Sequence, residues 1–409
     1  MKKFSNHIII LTTSCENQKY PKLFFLTFFK HNFEMGETSF AKKAIILTVF
    51  FTSGAFSAVL TNILYNMEAK GFHNVVKPFR KPWFQGWGMF VGMSLLILDT
   101  PFIKRCKCAP YHIGGTVRGW GLFRLVSIPA LCDLTATVLQ NIAFLYLKPS
   151  IWQMMRGSIL LFTALFAIFY RHKRLILVDW IGVITTIVGI TVVGISSILS
   201  DSDSGNTANV STGMQVLAMI LIVIAQGLQA FQTIVEEELL HDVDATESEI
   251  VSYEGIWGLY FSTFIAMPLA NIMPESAGEG IFEASLESFY MIANSWKVLL
   301  ATVAYIVVIV GYNQSGMMIT LFSTAIHRNI YEALRSIAVW MLSVIFYYAF
   351  PGLGAGEKLD LMSLVQLLGF SISILGSFIY NRVIKLPCLP AEVKDPAISE
   401  SKPLLSNAD

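Results

Sequence analysis

The chain has 409 residues, 54% of them hydrophobic and only 14% charged, and its mean hydropathy is +0.60. A soluble domain carries about 25% charged residues, so a water-soluble globular protein is excluded. A net charge of +1 by itself says nothing about nucleic acid, and no nucleic-acid partner is expected.

Residues 1–34 differ from the rest. Their apolar runs, Ile8–Leu11 and Leu23–Phe29, are too short to cross a bilayer. Lysines without arginine make a poor targeting presequence. Met35 opens a short basic lead, Met35-Gly-Glu-Thr-Ser-Phe-Ala-Lys-Lys43, into the first long apolar run. The expectation is that 1–34 is an extension, or that the chain starts at Met35.

Beyond residue 40, ten apolar segments follow at 44–65, 83–103, 122–146, 151–170, 176–199, 213–235, 251–272, 298–320, 325–349 and 360–384. A helix needs about 20 apolar residues to cross the hydrocarbon core. The alternation of a membrane β-barrel is absent, so helices must satisfy the backbone in lipid. The expected fold is an all-α polytopic membrane protein of about ten transmembrane helices, arranged as two inverted five-helix repeats. Its parts are a cytosolic N-terminal segment (1–40), a first repeat (41–199), a lumenal linker (200–212), a second repeat (213–385) and a cytosolic tail (386–409).

Basic residues mark the cytosolic side. Lys104-Arg105-Cys-Lys107, Arg171-His-Lys173-Arg174 and the tail fall on one side with the N-terminus. The loop at 66–82 breaks this pattern with Lys70, Lys77, Arg80 and Lys81. Asn209-Val-Ser211 is a glycosylation sequon in a loop this topology makes lumenal. The tail carries Glu400 with Leu404 and Leu405, an acidic dileucine pattern of the kind cytosolic sorting adaptors read. A disordered polar tail would also contain such residues.

One pattern occurs twice. Arg156 opens an apolar run that is followed by Gly182 and Gly189, and Arg335 opens another that is followed by Gly369 and Gly376. Five spans per half force the second half to insert upside down, as in many secondary transporters. Glycines seven apart share a helix face and allow a neighbouring helix to approach closely. Ionisable groups inside a span face the bundle interior or a wet cavity. On that ground the candidate substrate-binding residues are Asp133, Gln140, Gln153, Arg156, Gln226, Glu254, Asn313, Glu332 and Arg335. Structural pairing of Asp133 with Arg156 and of Glu332 with Arg335 is the alternative. Glu236–Glu238 are expected at a solvated helix end. Arginine grips carboxylate or phosphate through two parallel hydrogen bonds, so two in one cavity suit an anionic substrate.

The blocks Pro129-Ala-Leu-Cys-Asp133-Leu-Thr135 and Gln153-Met-Met-Arg156-Gly157 resemble the drug/metabolite transporter superfamily. So do Trp180-Ile-Gly182, Gln232, Glu236-Glu237, Glu254-Gly255, Tyr312-Asn313 and Leu334-Arg335. Within that superfamily the likeness is to the nucleotide-sugar-transporter-like solute carrier family 35, subfamily F, over about residues 40–385. The resemblance implies a ten-helix transporter of an organic solute in a lysosomal or other endomembrane, with a mitochondrial membrane as the second option. Many nucleotide-sugar transporters carry a phosphate-binding lysine where this chain has Leu321, which weakens that substrate in particular.

The expected function is secondary transport of an organic, anionic metabolite by alternating access, with a nucleotide sugar as one candidate. The alternative is a non-transporting adaptor that binds partners through its acidic loop and tail. No metal-ligand spacing, nucleophile elbow or phosphate loop suggests an enzyme, and no cofactor is expected. The partners expected are a small-molecule solute, the bilayer, sorting adaptors and a second copy in a homodimer.

Overall fold

The computed structural model describes residues 40–98, 119–171, 177–203, 212–242, 245–272, 282–349, 359–380 and 384. Residues 1–34, the sequon at Asn209 and the tail residues Glu400, Leu404 and Leu405 lie outside them.

The described chain is mostly helix. In order it forms α1 (Phe40–Asn66), a hairpin of β1 (Glu68–Lys70) and β2 (Val76–Pro78), α2 (Pro82–Leu95), α3 (Trp120–Leu125), α4 (Ser127–Phe144), α5 (Pro149–Met155) and α6 (Ile159–Arg171). Then come α7 (Leu177–Asp203), α8 (Thr212–Asp242), α9 (Glu247–Phe261), α10 (Met267–Ala270), α11 (Ser285–Asn294), α12 (Trp296–Phe322), α13 (Ala325–Ala349) and α14 (Leu361–Tyr380). Among the described residues, seven helices are long and apolar enough to cross a membrane: Ala41–Asn66, Trp120–Phe144, Leu177–Leu199, Gly213–Leu240, Trp296–Phe322, Ala325–Ala349 and Leu361–Tyr380.

The other three apolar segments are helical but not uniform. The segment expected at 83–103 is described only to Leu98, and its last three residues tighten into a 3₁₀ turn. The one expected at 151–170 breaks at Arg156–Ser158, where a 3₁₀ turn separates α5 from α6. The one expected at 251–272 loosens into a π-turn at Ser262–Ala266 before Pro268. Such irregular turns inside a helix often mark hinges or functional positions.

Large apolar side chains stand exposed on the helices. On α7 they include Leu177, Trp180, Ile184, Ile187, Val188, Ile195 and Leu199, and on α12 Leu299, Leu300, Val303 and Val307. A soluble monomer rarely exposes so continuous an apolar surface. Lipid is the solvent that suits these faces.

The helices pack mainly in long pairs: α7 on α14, α8 on α4, α12 on α1 and α9 on α2, while α13 lies on α1, α5 and α6. The α7–α14 seam runs antiparallel and is built on four glycines. A Cβ added to Gly182 would sit 2.7 Å from the Gly376 carbonyl oxygen, and one on Gly369 would sit 3.0 Å from that of Gly189. Thr186 closes the seam by donating to the Gly182 carbonyl at 2.9 Å and to the Ser373 carbonyl, across the interface, at 3.3 Å.

The hairpin after α1 meets the segment before α12. Glu287 accepts from Lys77 Nζ (3.2 Å), Lys81 Nζ (3.3 Å) and the Phe72 N–H (3.2 Å). Two lysines of the basic loop that broke the charge rule thus share one carboxylate, from the first turn of α11. Glu283 accepts from the Trp83 and Phe84 N–H groups, both at 2.9 Å. Helix α2 has no side-chain cap of its own, and this distant carboxylate caps its N-terminus instead. Helix α9 caps itself, with Thr246 accepting from the Glu249 N–H at 3.2 Å.

Candidate functional site

Arg156 lies in the 3₁₀ turn between α5 and α6, and Arg335 lies on α13. Both are buried, with Arg335 only 1% exposed. They converge on one carboxylate. Glu332 Oε1 accepts from Arg156 Nη2 and from Arg335 Nη2, each at 2.6 Å. Its Oε2 accepts from the Tyr312 hydroxyl. Arg335 also donates to the Gly54 carbonyl at 2.8 Å and covers the Tyr312 ring at 5.0 Å. Arg156 covers the Trp152 ring at 4.9 Å. Gly54 is required here, because a Cβ would collide with the Arg335 side chain and with the Tyr312 ring at 2.9 Å.

Beside this cluster is a cavity of about 70 Å³. Asp133, Gln140, Arg156, Asn313 and Arg335 from the expected set line it, together with Trp152, Gln229 and Tyr312. Asp133 accepts from the Thr137 hydroxyl at 3.2 Å and makes no ion pair with Arg156, whose charge goes to Glu332. The expected Glu332–Arg335 pair is present. Gln140 donates to Gln229 Oε1 at 3.3 Å, and its carbonyl accepts the Trp152 indole N–H at 2.8 Å. Asn313 points its amide at Met93 Sδ, 3.2 Å away.

Three expected residues lie elsewhere. Gln153 and Gln226 are buried, and neither amide has a hydrogen-bond partner among the described residues. Glu254 joins a second buried cluster, where Gln232 Nε2 donates to Glu254 Oε1 at 2.9 Å and to Glu236 Oε1 at 2.7 Å. Arg328 pairs with the other oxygen of Glu236.

The expectation that Glu236–Glu238 form a solvated helix end is corrected here. Glu236 and Glu237 are buried, and only Glu238 is exposed. Helix α8 runs on to Asp242, so these glutamates face Arg328 and the start of α13; Glu237 accepts the Ala325 N–H at 3.2 Å. The roles of Trp152 and Tyr312 in the site were not read from the sequence. The available signal was an aromatic residue next to each flagged amide, Gln153 and Asn313.

Buried charge around a small polar cavity, set within helices that expose apolar faces, defines a multi-pass membrane protein with an internal polar cavity. Comparison with known proteins then gives the family. The UAA transporter family matches residues 126–382, well over half of the chain, and the protein belongs to it. Human solute carrier family 35 member F6 is 29% identical over 309 residues, covering 74% of this chain and 78% of that protein. The Rattus norvegicus member F6 is 26% identical over 356 residues, 85% of this chain and 91% of that protein. An uncharacterized protein of Schizosaccharomyces pombe is 28% identical over 273 residues, 64% of this chain and 75% of that protein. The chain is therefore a membrane transporter of a small-molecule solute and not an enzyme.

Proposed function

We propose that the protein is a secondary transporter of an organic metabolite bearing an anionic group, working by alternating access across an endomembrane. The observation that carries this reading is the convergence of Arg156 and Arg335, one from each half of the sequence, beside a buried cavity. Their guanidinium groups suit a carboxylate or phosphate. The bidentate reach of both is partly taken up by Glu332, which would be exchanged for, or shared with, the substrate anion. A nucleotide sugar stays one candidate, without a lysine at Leu321 to favour it.

In this reading the chain has ten spans, with repeats at 41–199 and 213–385, a lumenal linker at 200–212 and cytosolic ends at 1–40 and 386–409. The packing supports it. With the apolar segments numbered in chain order, the first lies along the eighth, the second along the seventh, the third along the sixth, the fourth along the ninth and the fifth along the tenth. Advancing every number by five maps this set onto itself, as a two-fold relation between halves requires. The equivalent fifth and tenth segments run antiparallel, as inverted halves must. We place the carrier in a lysosomal or related membrane, sorted through Glu400, Leu404 and Leu405. Of the acidic loop that the adaptor alternative would use, Glu236 and Glu237 are buried and Glu238 is exposed.

A thermal-shift screen of the purified protein against nucleotide sugars, nucleotides, amino acids and organic acids will find a stabilising solute, and proteoliposomes will then carry it saturably. Arg156→Lys and Arg335→Lys keep the charge but lose the planar fork, and should slow uptake at least tenfold in protein that still elutes as a folded species. Wild-type rates in both variants would remove the arginines from the site.

A further inference from the structure

The cavity carries both signs of charge. Arg156 and Arg335 supply two cations, and Glu332 already accepts from both. Asp133 lines the same cavity, is 6% exposed, and makes no ion pair among the described residues; its one hydrogen bond is the neutral Thr137 hydroxyl. The lining itself holds Arg156, Arg335 and Asp133; Glu332 pairs the two arginines from outside the lining, and with it counted the charges balance but are polarised. One pole is an arginine pair with a half-used charge, and the other is a carboxylate in no ion pair among the described residues.

A buried charge without a partner is costly, and a ligand that pairs it recovers that cost. A dianion would satisfy the arginine pole and set further negative charge beside Asp133. A dication would do the reverse. Only a molecule with a separated anion and cation offsets both poles. The arginine pole also has unused donors, because the Nε of Arg156 and the Nε of Arg335 are buried without a hydrogen-bond partner among the described residues. The cavity of about 70 Å³ has room for about five waters, which fits a small metabolite.

We propose that the transported solute is a small zwitterion, with its carboxylate or phosphate at Arg156 and Arg335 and its ammonium group at Asp133. This rests on the transport reading above and narrows its substrate class.

The test uses the full-length purified protein and thermal-shift titrations with three probe sets of matched chain length. The zwitterions are glycine, γ-aminobutyrate and ε-aminocaproate; the dianions are succinate and adipate; the dication is putrescine. At least one zwitterion should stabilise the protein with a half-saturation about tenfold lower than either dianion, and putrescine should have no effect. Asp133→Asn should erase that preference by weakening the zwitterion and strengthening the dianions. If Asp133→Asn does not fold, the wild-type ranking decides alone.

A dianion that matches or beats every zwitterion overturns the proposal. In that case, loss of its binding in Arg156→Lys would leave the anion reading standing, whereas binding indifferent to Arg156→Lys would remove that reading too. No stabilisation by any zwitterion also overturns the proposal.

Discussion

Helix α13 holds two buried ionic clusters that are opposite in kind. Toward its middle, Arg335 and Arg156 share one carboxylate, Glu332. Nearer its start, the one cation, Arg328, pairs with Glu236, which shares the Gln232 amide with Glu254. The first has one cation too many and the second one anion too many. The surplus cation borders the cavity, while Glu236, Glu254 and Arg328 are not among its lining residues. In a low-dielectric interior an ion pair is tolerated and a surplus charge needs an outside partner. The cluster that faces the cavity is therefore the one able to use a ligand as that partner.

The comparison can be broken by substitution. Glu332→Ala strips both arginines of the one carboxylate they pair with among the described residues and should cost about 3–5 kcal/mol, the usual penalty for orphaning a buried charge. Thermal unfolding in detergent will read it. A loss below about 1 kcal/mol would mean that water or Tyr312 alone can hold both guanidinium groups.

The next effect tests the frame that holds the clusters in place. Gly376→Val puts a side chain within 2.6 Å of the Gly182 carbonyl across the α7–α14 seam. Backbone cannot yield as a flexible side chain can, so a loss of about 1–3 kcal/mol is expected. Gly86→Ala is the control: its Cβ would meet Thr137 Cγ2 at an ordinary 3.5 Å and should be nearly silent. Equal losses in the two variants would deny that the glycine seam is tight.

Glu254→Gln sharpens the contrast with Glu332. It removes one anion from the cluster that has a surplus and leaves Arg328 paired with Glu236, so the change in stability should stay within about 1 kcal/mol. A loss as large as that of Glu332→Ala would show that Glu254 is needed as a charge and would reverse the accounting. The smallest effect is expected from Lys77→Ala. Its side chain is 42% exposed and Lys81 also serves Glu287, so about 0–1 kcal/mol should be lost, and less at high salt. An equal loss at every salt concentration would mark the hairpin pair as buried in practice.

Part of the site was legible in the chain. Asp133, Arg156, Glu332 and Arg335 were found because charge inside an apolar run is costly and needs a reason. Their partnerships were not legible. Arg156 meets Glu332 across 176 positions of sequence, and Arg335 meets the Gly54 carbonyl across 281. Spacing along one helix reports neighbours three or four residues away, so it pointed to Glu332–Arg335 and missed the bond from the other half. The same limit misread Glu236–Glu238. A run of glutamates ending an apolar segment reads as a solvated helix end until the start of α13 is folded against it.

The sequence by itself determined the membrane, helical character of this protein, because an apolar composition leaves a backbone in lipid no other way to bond. It also set the interior charges and the small residues at the helix seams, since both are penalised wherever they lack a purpose. Tertiary structure alone decided which charge answers which, that Gly182 opposes Gly376 and Gly189 opposes Gly369, and that Asp133 shares a cavity with two arginines yet forms no ion pair among the described residues. Pairing is a property of distance in space, and in a bundle of antiparallel helices that distance bears little relation to separation along the chain.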